Sequence, residues 1–152
     1  MGTYKTSSSV IFDIDGTLAD CTHRLPFIQQ PPKDWDAFFG AMAGDALIQP
    51  VAEILDAFVQ QFKHTIVLCS GRPENYREPT EKWLLACGIK WSRLYMRPAG
   101  DHRDDHIIKR ELLDQIRADG WNPFLAIDDR QRVVDMWRNN GLVCLQCAPG
   151  DF

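Results

Sequence analysis

Four short stretches hold the residues of this chain whose types and spacing could do chemistry. Asp13-Ile14-Asp15-Gly16-Thr17 places two carboxylates two positions apart, followed by a glycine and a hydroxyl. Ser70-Gly71-Arg72 joins a hydroxyl to a guanidinium. A charged stretch through Asp101, Asp104 and Asp105 leads to Lys109, one helical turn beyond Asp105. Asp128-Asp129-Arg130 closes the set. Carboxylates in this number repel one another at one point unless a hard cation neutralises them, and magnesium binds through carboxylates, waters and substrate phosphate. Phosphoryl transfer fits such a set. Attack by an aspartate on phosphorus needs that neutralisation, and Lys109 would offset charge on the phosphoryl oxygens. Ser70 and the amides near Gly16 and Gly71 would donate hydrogen bonds to them, because glycine lets the backbone approach closely.

These stretches matter only if the fold brings them together, and the surrounding pattern says that it does. Residues 10–12 read as a buried strand that ends at Asp13. Residues 50–62 carry Val51, Ile54, Leu55, Phe58, Val59 and Phe62 on one helical face, with Pro50 suited to the first turn. Residues 65–69 are a second strand ending at Ser70. A helix is predicted over 79–87, stopped by Gly88, then a strand over 93–96. The helix at 106–118 carries Ile108, Leu112 and Ile116. A strand at 123–127, a helix at 130–140 and a strand at 142–145 come next. Strand and helix in alternation mean βαβ units, hence a Rossmann-like three-layer α/β sandwich with a mainly parallel sheet of about five strands. Ligand sites in open α/β sheets lie at the carboxyl ends of strands, where all four stretches fall. Residues 19–49 break the rhythm and read as a small helical insert, about one helix and its connections. With no repeat and no linker, the chain reads as one domain.

The 152 residues suit a single core of ordinary size. With 45% hydrophobic and 25% charged residues the chain is neither disordered nor a coiled coil. A net charge of −4 argues against strong non-specific binding to nucleic acid or anionic membrane, but not against an enzyme that grips only a strand end. Asp outnumbers Glu 16 to 5 and Arg outnumbers Lys 11 to 6, a bias toward metal and phosphate ligation. Five cysteines in no framework spacing fit a reducing compartment. The start of the chain is polar, and no apolar run approaches the roughly 20 residues that span a bilayer. The expected location is cytoplasmic.

The motif Asp13-Ile-Asp15-Gly-Thr17-Leu, with Ser70, Lys109 and Asp128-Asp129 in that order at strand ends, resembles the haloacid dehalogenase superfamily. The resemblance implies Asp13 as nucleophile, forming an aspartyl-phosphate, and Asp15 as acid for the leaving group and then base for water. Aspartate at position 15 is similar to the phosphatases of the superfamily. Arg24 eleven residues after Asp13, Ser70-Gly-Arg72, Asp105 before Lys109, the run from Asp128 through Trp137 to Gln146, and Gly150-Asp-Phe152 narrow this. They resemble the 3′-phosphatase domain of phage polynucleotide kinase–phosphatase, which removes a terminal 3′-phosphate from RNA or DNA.

That resemblance implies a role for each matching residue. Asp13, Asp15, Ser70 and Lys109 would be catalytic. Arg24, Ser70, Gly71, Arg72, Asp105 and Thr17 would bind substrate, Asp105 by orienting Lys109 or a neighbouring arginine. Asp13, Asp15, Asp128 and Asp129 would surround magnesium. No Gly-x-x-x-x-Gly-Lys-Ser/Thr loop occurs, so the expectation is either a phosphatase-only version or one that works with a separate kinase or ligase, and a homo-oligomer is left open. The stretch 97–105 is too short for a closing cap and 19–49 is small, which favours an open site and a polymer end. A nucleotidase acting on mononucleotides or other small phosphate esters, and a non-catalytic end-binding module, are the competing functions.

Plainer roles compete for several residues. Cys144 and Cys147 read as structural thiols, and His102 and His106 as solvated loop residues rather than a metal pair. Asp104 reads as a helix cap, and Arg130 as an ion-pair partner of nearby carboxylates. Trp35, Phe38 and Phe39 read as a packed insert, with a base-stacking platform as the alternative. Trp83, Trp91, Trp121 and Trp137 read as helix–sheet packing or a subunit contact.

Overall fold

The computed structural model describes residues 8–150. The polar start of the chain, residues 1–7, and the Asp151-Phe152 of the resemblance lie outside them.

Five parallel strands form the central sheet: β1 (Ser8–Phe12), β4 (Thr65–Pro73), β5 (Arg93–Arg97), β6 (Asn122–Arg130) and β7 (Val143–Gly150), in the order β5-β4-β1-β6-β7. After β1 the chain moves to β4 and β5 on one side, then returns to β6 and β7 on the other. β1 is therefore central, and the crevice where the winding reverses opens at its carboxyl end. Successive side chains of a strand point to opposite faces, and the two cores divide accordingly. Val10, Phe12, Ile66, Leu68, Leu125 and Ile127 face α3 (Gln49–Gln60) and α4 (Arg77–Ala86). Ile11, Val67, Cys69 and Ala126 face α5 (Asp105–Ala118) and α6 (Gln131–Asn139). Burial on both faces is why these strands are apolar runs rather than alternating ones.

The expected order of elements is the observed one, with shifted boundaries. Strands β4, β6 and β7 run on beyond their apolar cores, so Ser70 to Pro73 and Asp128 to Arg130 are strand residues rather than loops. The register slips between Ser70 and Pro73 and again between Asp128 and Arg130. Such irregularities re-aim side chains at strand ends, here at the stretches that carry the polar groups. Helix α4 begins at Arg77, ahead of Pro79, after a 3₁₀ turn over Glu74–Tyr76.

The insert is more elaborate than one helix. It holds β2 (Ala19–Asp20), a 3₁₀ turn (Thr22–Arg24), α1 (Pro26–Gln29), α2 (Trp35–Gly40), a second 3₁₀ turn (Met42–Gly44) and β3 (Ala46–Leu47). β2 and β3 pair antiparallel, so the insert leaves and rejoins the domain through one two-stranded ribbon. A small core of Ile28, Phe38, Phe39 and Met42 holds it together. Asp34 caps α2 by accepting a hydrogen bond from the Ala37 amide at 2.9 Å. No helix among the described residues is long and apolar enough to cross a membrane.

Candidate active site

Asp13 follows β1 directly, and its amide donates to the Ile127 carbonyl of β6 at 3.0 Å. The chain then turns tightly: the amides of Thr17, Leu18 and Ala19 all donate to the Ile14 carbonyl. Gly16 makes the turn with φ +85°, a region that side chains resist. A Cβ there would also run into the Asp129 carboxylate. The same turn brings the Thr17 hydroxyl back to donate to Asp13 Oδ2 at 3.1 Å.

Lys109, one turn into α5, projects into the crevice and is buried. Its Nζ donates to Asp13 Oδ1 at 2.8 Å and to Asp128 Oδ2 at 2.9 Å, and stands 3.8 Å from Asp105 Oδ2. Asp13, Asp128 and Asp129 bring one carboxylate oxygen each within 4.8 Å of one another. Asp129 Oδ1 is buried with no hydrogen-bond partner. Burial, and then the Asp128 charge, push the Asp13 carboxyl well above the usual carboxylate range. The same two causes raise Asp129 to about 6. Burial works against the Lys109 charge, but Asp128, Asp13 and Asp105 outweigh it and raise Lys109 well above its ordinary value, so it stays protonated.

Arg24 and Arg72 are fully buried and bind Asp15. Arg24 Nη2 donates to Asp15 Oδ1 at 2.7 Å, and Arg72 Nη2 donates to the same oxygen at 2.6 Å. Burial raises the Asp15 carboxyl, but Arg72 and then Arg24 overcome it and bring it down to about 2. The Asp15 carboxylate is not part of the acidic cluster expected to surround a metal, because the two arginines hold it. The arginines themselves, expected on substrate or its phosphate, are engaged by Asp15 and by Asp45.

Asp45, at the end of the insert, is a participant that nothing in the sequence marks. It is buried and accepts from Arg24 Nε at 2.8 Å, Arg24 Nη2 at 2.6 Å and His23 Nε2 at 2.7 Å. Its backbone carbonyl accepts from the Trp83 indole at 3.0 Å. A lone aspartate between Gly44 and Ala46 belongs to no period or motif. Trp137, expected in helix–sheet packing or a subunit contact, has a further role. It is fully buried among the residues of α5, α6 and the sheet, and its indole Nε1 also donates to Asp128 Oδ2 at 3.1 Å.

Ser70 ends the apolar part of β4, buried, and its Oγ accepts the Arg72 amide at 3.1 Å. Gly71 lies beside Asp105, and a Cβ there would strike the Asp105 carboxylate. Arg97 Nε donates to the Gly71 carbonyl at 2.8 Å and Arg97 Nη2 to Asp105 Oδ1 at 3.2 Å. Asp105 thus stands between Arg97 and Lys109, with Arg130 Nη1 3.7 Å from its Oδ2. Asp104 takes the N-cap position of α5, but its side chain makes no cap bond and lies 3.5 Å from Arg132 instead. Thr17, expected on substrate, is spent on Asp13 in this state. His102 and His106 do not belong to any metal-holding cluster among the described residues. Cys144 and Cys147 are unpaired thiols; burial raises Cys144 to about 12 and Cys147 to about 11, so neither is a ready thiolate.

The chain is similar to known proteins in sequence and in fold. A family model for the phosphatase domain of polynucleotide kinase PNKP matches residues 7–152. The structure of the Pnkp1/Rnl/Hen1 complex contains a chain that is 36% identical, with a TM-score of 0.82, over 99% of this chain and 49% of that one. A candidate bifunctional polynucleotide kinase/RNA ligase of Autographa californica nuclear polyhedrosis virus is 29% identical over 136 residues, 89% of this chain and 18% of the viral protein. The chain therefore spans half or less of these relatives. A hydrolase from Streptococcus pneumoniae TIGR4 shares the fold, with a TM-score of 0.62 at 16% identity over 95% of this chain and 94% of that one. Because the family match takes in the sheet, the insert and every carboxylate of the cluster, the chain belongs to the haloacid dehalogenase-type phosphatase-domain family of polynucleotide kinases.

Proposed function

We propose that the protein removes a terminal 3′-phosphate from RNA or DNA in a magnesium-dependent reaction that passes through an aspartyl-phosphate on Asp13. One observation carries this reading: a buried cluster in which three carboxylates face a single ammonium. With all three ionised, that cluster holds two uncompensated negative charges, and Asp129 Oδ1 has no partner. An unpartnered buried carboxylate oxygen is costly, and a divalent cation held by Asp13, Asp128 and Asp129 satisfies both the charge and the oxygen. When bound, magnesium would supply electrostatic stabilisation of the phosphoryl oxygens.

The protein's own residues would do the rest. Lys109 fixes Asp13 Oδ1, and Thr17 fixes Oδ2, so the nucleophile is oriented before substrate arrives. An Asp13 oxygen forms the bond to phosphorus as the bond to the 3′-oxygen of the nucleotide breaks, and that 3′-oxygen takes a proton from Asp15. Water then attacks the phosphorus, Asp15 takes its proton, and inorganic phosphate leaves with Asp13 restored. The paired state of Asp15 is the ionised one, as the second half of the reaction requires. For the first half Asp15 must gain a proton and leave the arginines, which frees their donors for phosphate oxygens.

Three further features support a polymer substrate. The loop between β5 and α5 is short, and the insert is small. One relative is named as a bifunctional polynucleotide kinase/RNA ligase, and another belongs to a structure named as an RNA repair complex. A cleft of about 950 Å³ opens beside the cluster, lined by Asp105, Arg130, Arg132 and Lys33. A separate kinase or ligase acting on the same ends is the expected partner, and the expected location is the cytoplasm. The test is to incubate the protein with short DNA and RNA oligomers phosphorylated at either the 3′ or the 5′ end, with mononucleotides, and with magnesium or EDTA. Metal-dependent release confined to 3′-phosphorylated oligomers is the expected result. Release from mononucleotides alone would move the task to nucleotide metabolism, and release in EDTA would remove the metal.

A further inference from the structure

A second, smaller cleft of about 260 Å³ adjoins the large one, and nothing in the proposed chemistry uses it. Trp35 and Phe39 from α2, Tyr76 from the turn before α4, and Arg97 from the end of β5 line it. Trp35 and His102 line both clefts, so they form the wall between them. The cleft is rooted in the site: Arg97 holds the Gly71 carbonyl and Asp105, and Asp105 lies 3.8 Å from Lys109.

The rings are fixed in advance. Trp35 stacks on Phe39 with centroids 6.0 Å apart and planes 23° from parallel, and meets Phe38 edge-on at 5.7 Å. Phe39 in turn lies 5.3 Å from Tyr76. Phe38 and Phe39 are buried, as a packed insert requires, yet Trp35 keeps 40% of its surface in solvent. A large ring held in place but left open loses little entropy on gaining a partner. The acids of the cleft are engaged already: Asp36 accepts from the Tyr76 hydroxyl at 3.4 Å, and Asp101 is gripped by Arg103 at 2.7 Å. Lys33 Nζ stands over the Trp35 ring, 5.7 Å from its centroid, and lines the larger cleft with it, so a cation sits at the ring.

We infer that Trp35 is a stacking platform for one base of the strand whose end is being dephosphorylated, and so sets the preference for oligomers over mononucleotides. The occupant is a nucleobase rather than an apolar peptide because cationic side chains flank the ring along a path that begins at the phosphate-cleaving cluster. The inference rests on the proposed activity and deepens it.

The experiment pairs a protein change with a substrate change. The kcat/KM is measured for a 3′-phosphorylated pentamer, for versions in which one of the last two nucleotides is abasic, and for a 3′-mononucleotide. Wild type, Trp35→Ala and Trp35→Phe are compared, with circular dichroism as the check on folding. Stacking of one base is worth about 1–3 kcal/mol, so the wild type should lose roughly fivefold or more on one abasic substrate. Trp35→Ala should show that loss already on the intact pentamer and no more on the abasic one, and Trp35→Phe should recover most of it. An additive loss for Trp35→Ala on the abasic substrate, or no abasic effect in the wild type, overturns the platform while leaving 3′-phosphatase activity standing. A wild type that favours mononucleotides overturns both readings.

Discussion

Asp15 and Asp45 share one guanidinium: Nη2 of Arg24 lies 2.7 Å from Asp15 Oδ1 and 2.6 Å from Asp45 Oδ2. Arg72 is shared the same way, at 2.6 Å from Asp15 and 3.4 Å from Asp45. The assigned acid and a buried carboxylate of the insert therefore compete for the same two cations. Asp45 can retain the arginines when Asp15 is protonated and lets go.

That sharing makes Asp45 a positioning residue. Removing one partner of a buried ion pair costs about 3–5 kcal/mol because the other charge is left uncompensated. Asp45→Ala is expected to lower the unfolding free energy read from urea melts by an amount near the low end of that range, with a matching fall in the midpoint, since Asp15 still accepts from both arginines. Steady-state kinetics should show kcat falling while KM for an aryl phosphate changes little. An unchanged midpoint together with unchanged kcat would show that Asp45 supports nothing.

Asp129 gives the opposite prediction for stability. Its buried Oδ1 is unpartnered and its neighbours are carboxylates, so Asp129→Asn should raise the metal-free melting temperature while abolishing turnover. The wild type should be stabilised by magnesium through simple linkage, by about 2.7 kcal/mol at a hundredfold excess over the dissociation constant. Melting curves with and without magnesium test both statements. A wild type that does not respond to magnesium, or a variant that responds equally, would contradict the cluster as a cation site.

Asp15→Asn should slow release of phosphate most for substrates whose leaving group needs a proton, such as a nucleotide 3′-oxygen, and least for aryl phosphates. Turnover of the two substrate classes by the variant and the wild type decides the matter. An equal loss on both would count against Asp15 as the acid.

Trp137→Phe removes the indole donor from Asp128 Oδ2 but keeps an aromatic ring in the core. A hydrogen bond to a charged group is worth about 1.5–3 kcal/mol, and a loss of that order is expected in chemical denaturation. Partners that orient a metal ligand commonly change metal affinity by about 10- to 100-fold when lost. Titration calorimetry with magnesium reads this directly, and wild-type affinity in the variant would reduce Trp137 to a packing residue.

Gly16→Ala and Gly120→Ala separate backbone strain from a clash. Both glycines have positive φ, +85° and +93°, but only at Gly16 would a Cβ meet another group, the Asp129 carboxylate. Each variant should lose about 1–3 kcal/mol from strain. Only Gly16→Ala should also lose magnesium-dependent stabilisation and activity. Equal behaviour of the two would mean that the turn, not the approach to Asp129, is what glycine serves.

Much of this is legible in the chain itself. The apolar runs ending at Asp13, Ser70 and Asp128, and the helical periods between them, reflect burial on two faces of one sheet. A βαβ winding then carries every strand end to one edge, so Asp13, Lys109 and the Asp128-Asp129 pair can be expected together. These relations are local: each polar residue follows its own strand or helix by a residue or a turn. The partners of Asp15 are not of that kind. Arg24 and Arg72 reach it from 9 and 57 residues away, and Asp45 reaches Arg24 from 21 residues away. The folding of the insert through the β2–β3 ribbon decides that they meet. The indole of Trp137 reaches Asp128 only because α6 packs back over β6, and Trp35 stays open only because Phe38 and Phe39 take the inner places of the same helix. Period and propensity place a residue on a face; which buried charge answers which is decided by packing, because a desolvated charge takes whatever partner the folded chain brings within reach.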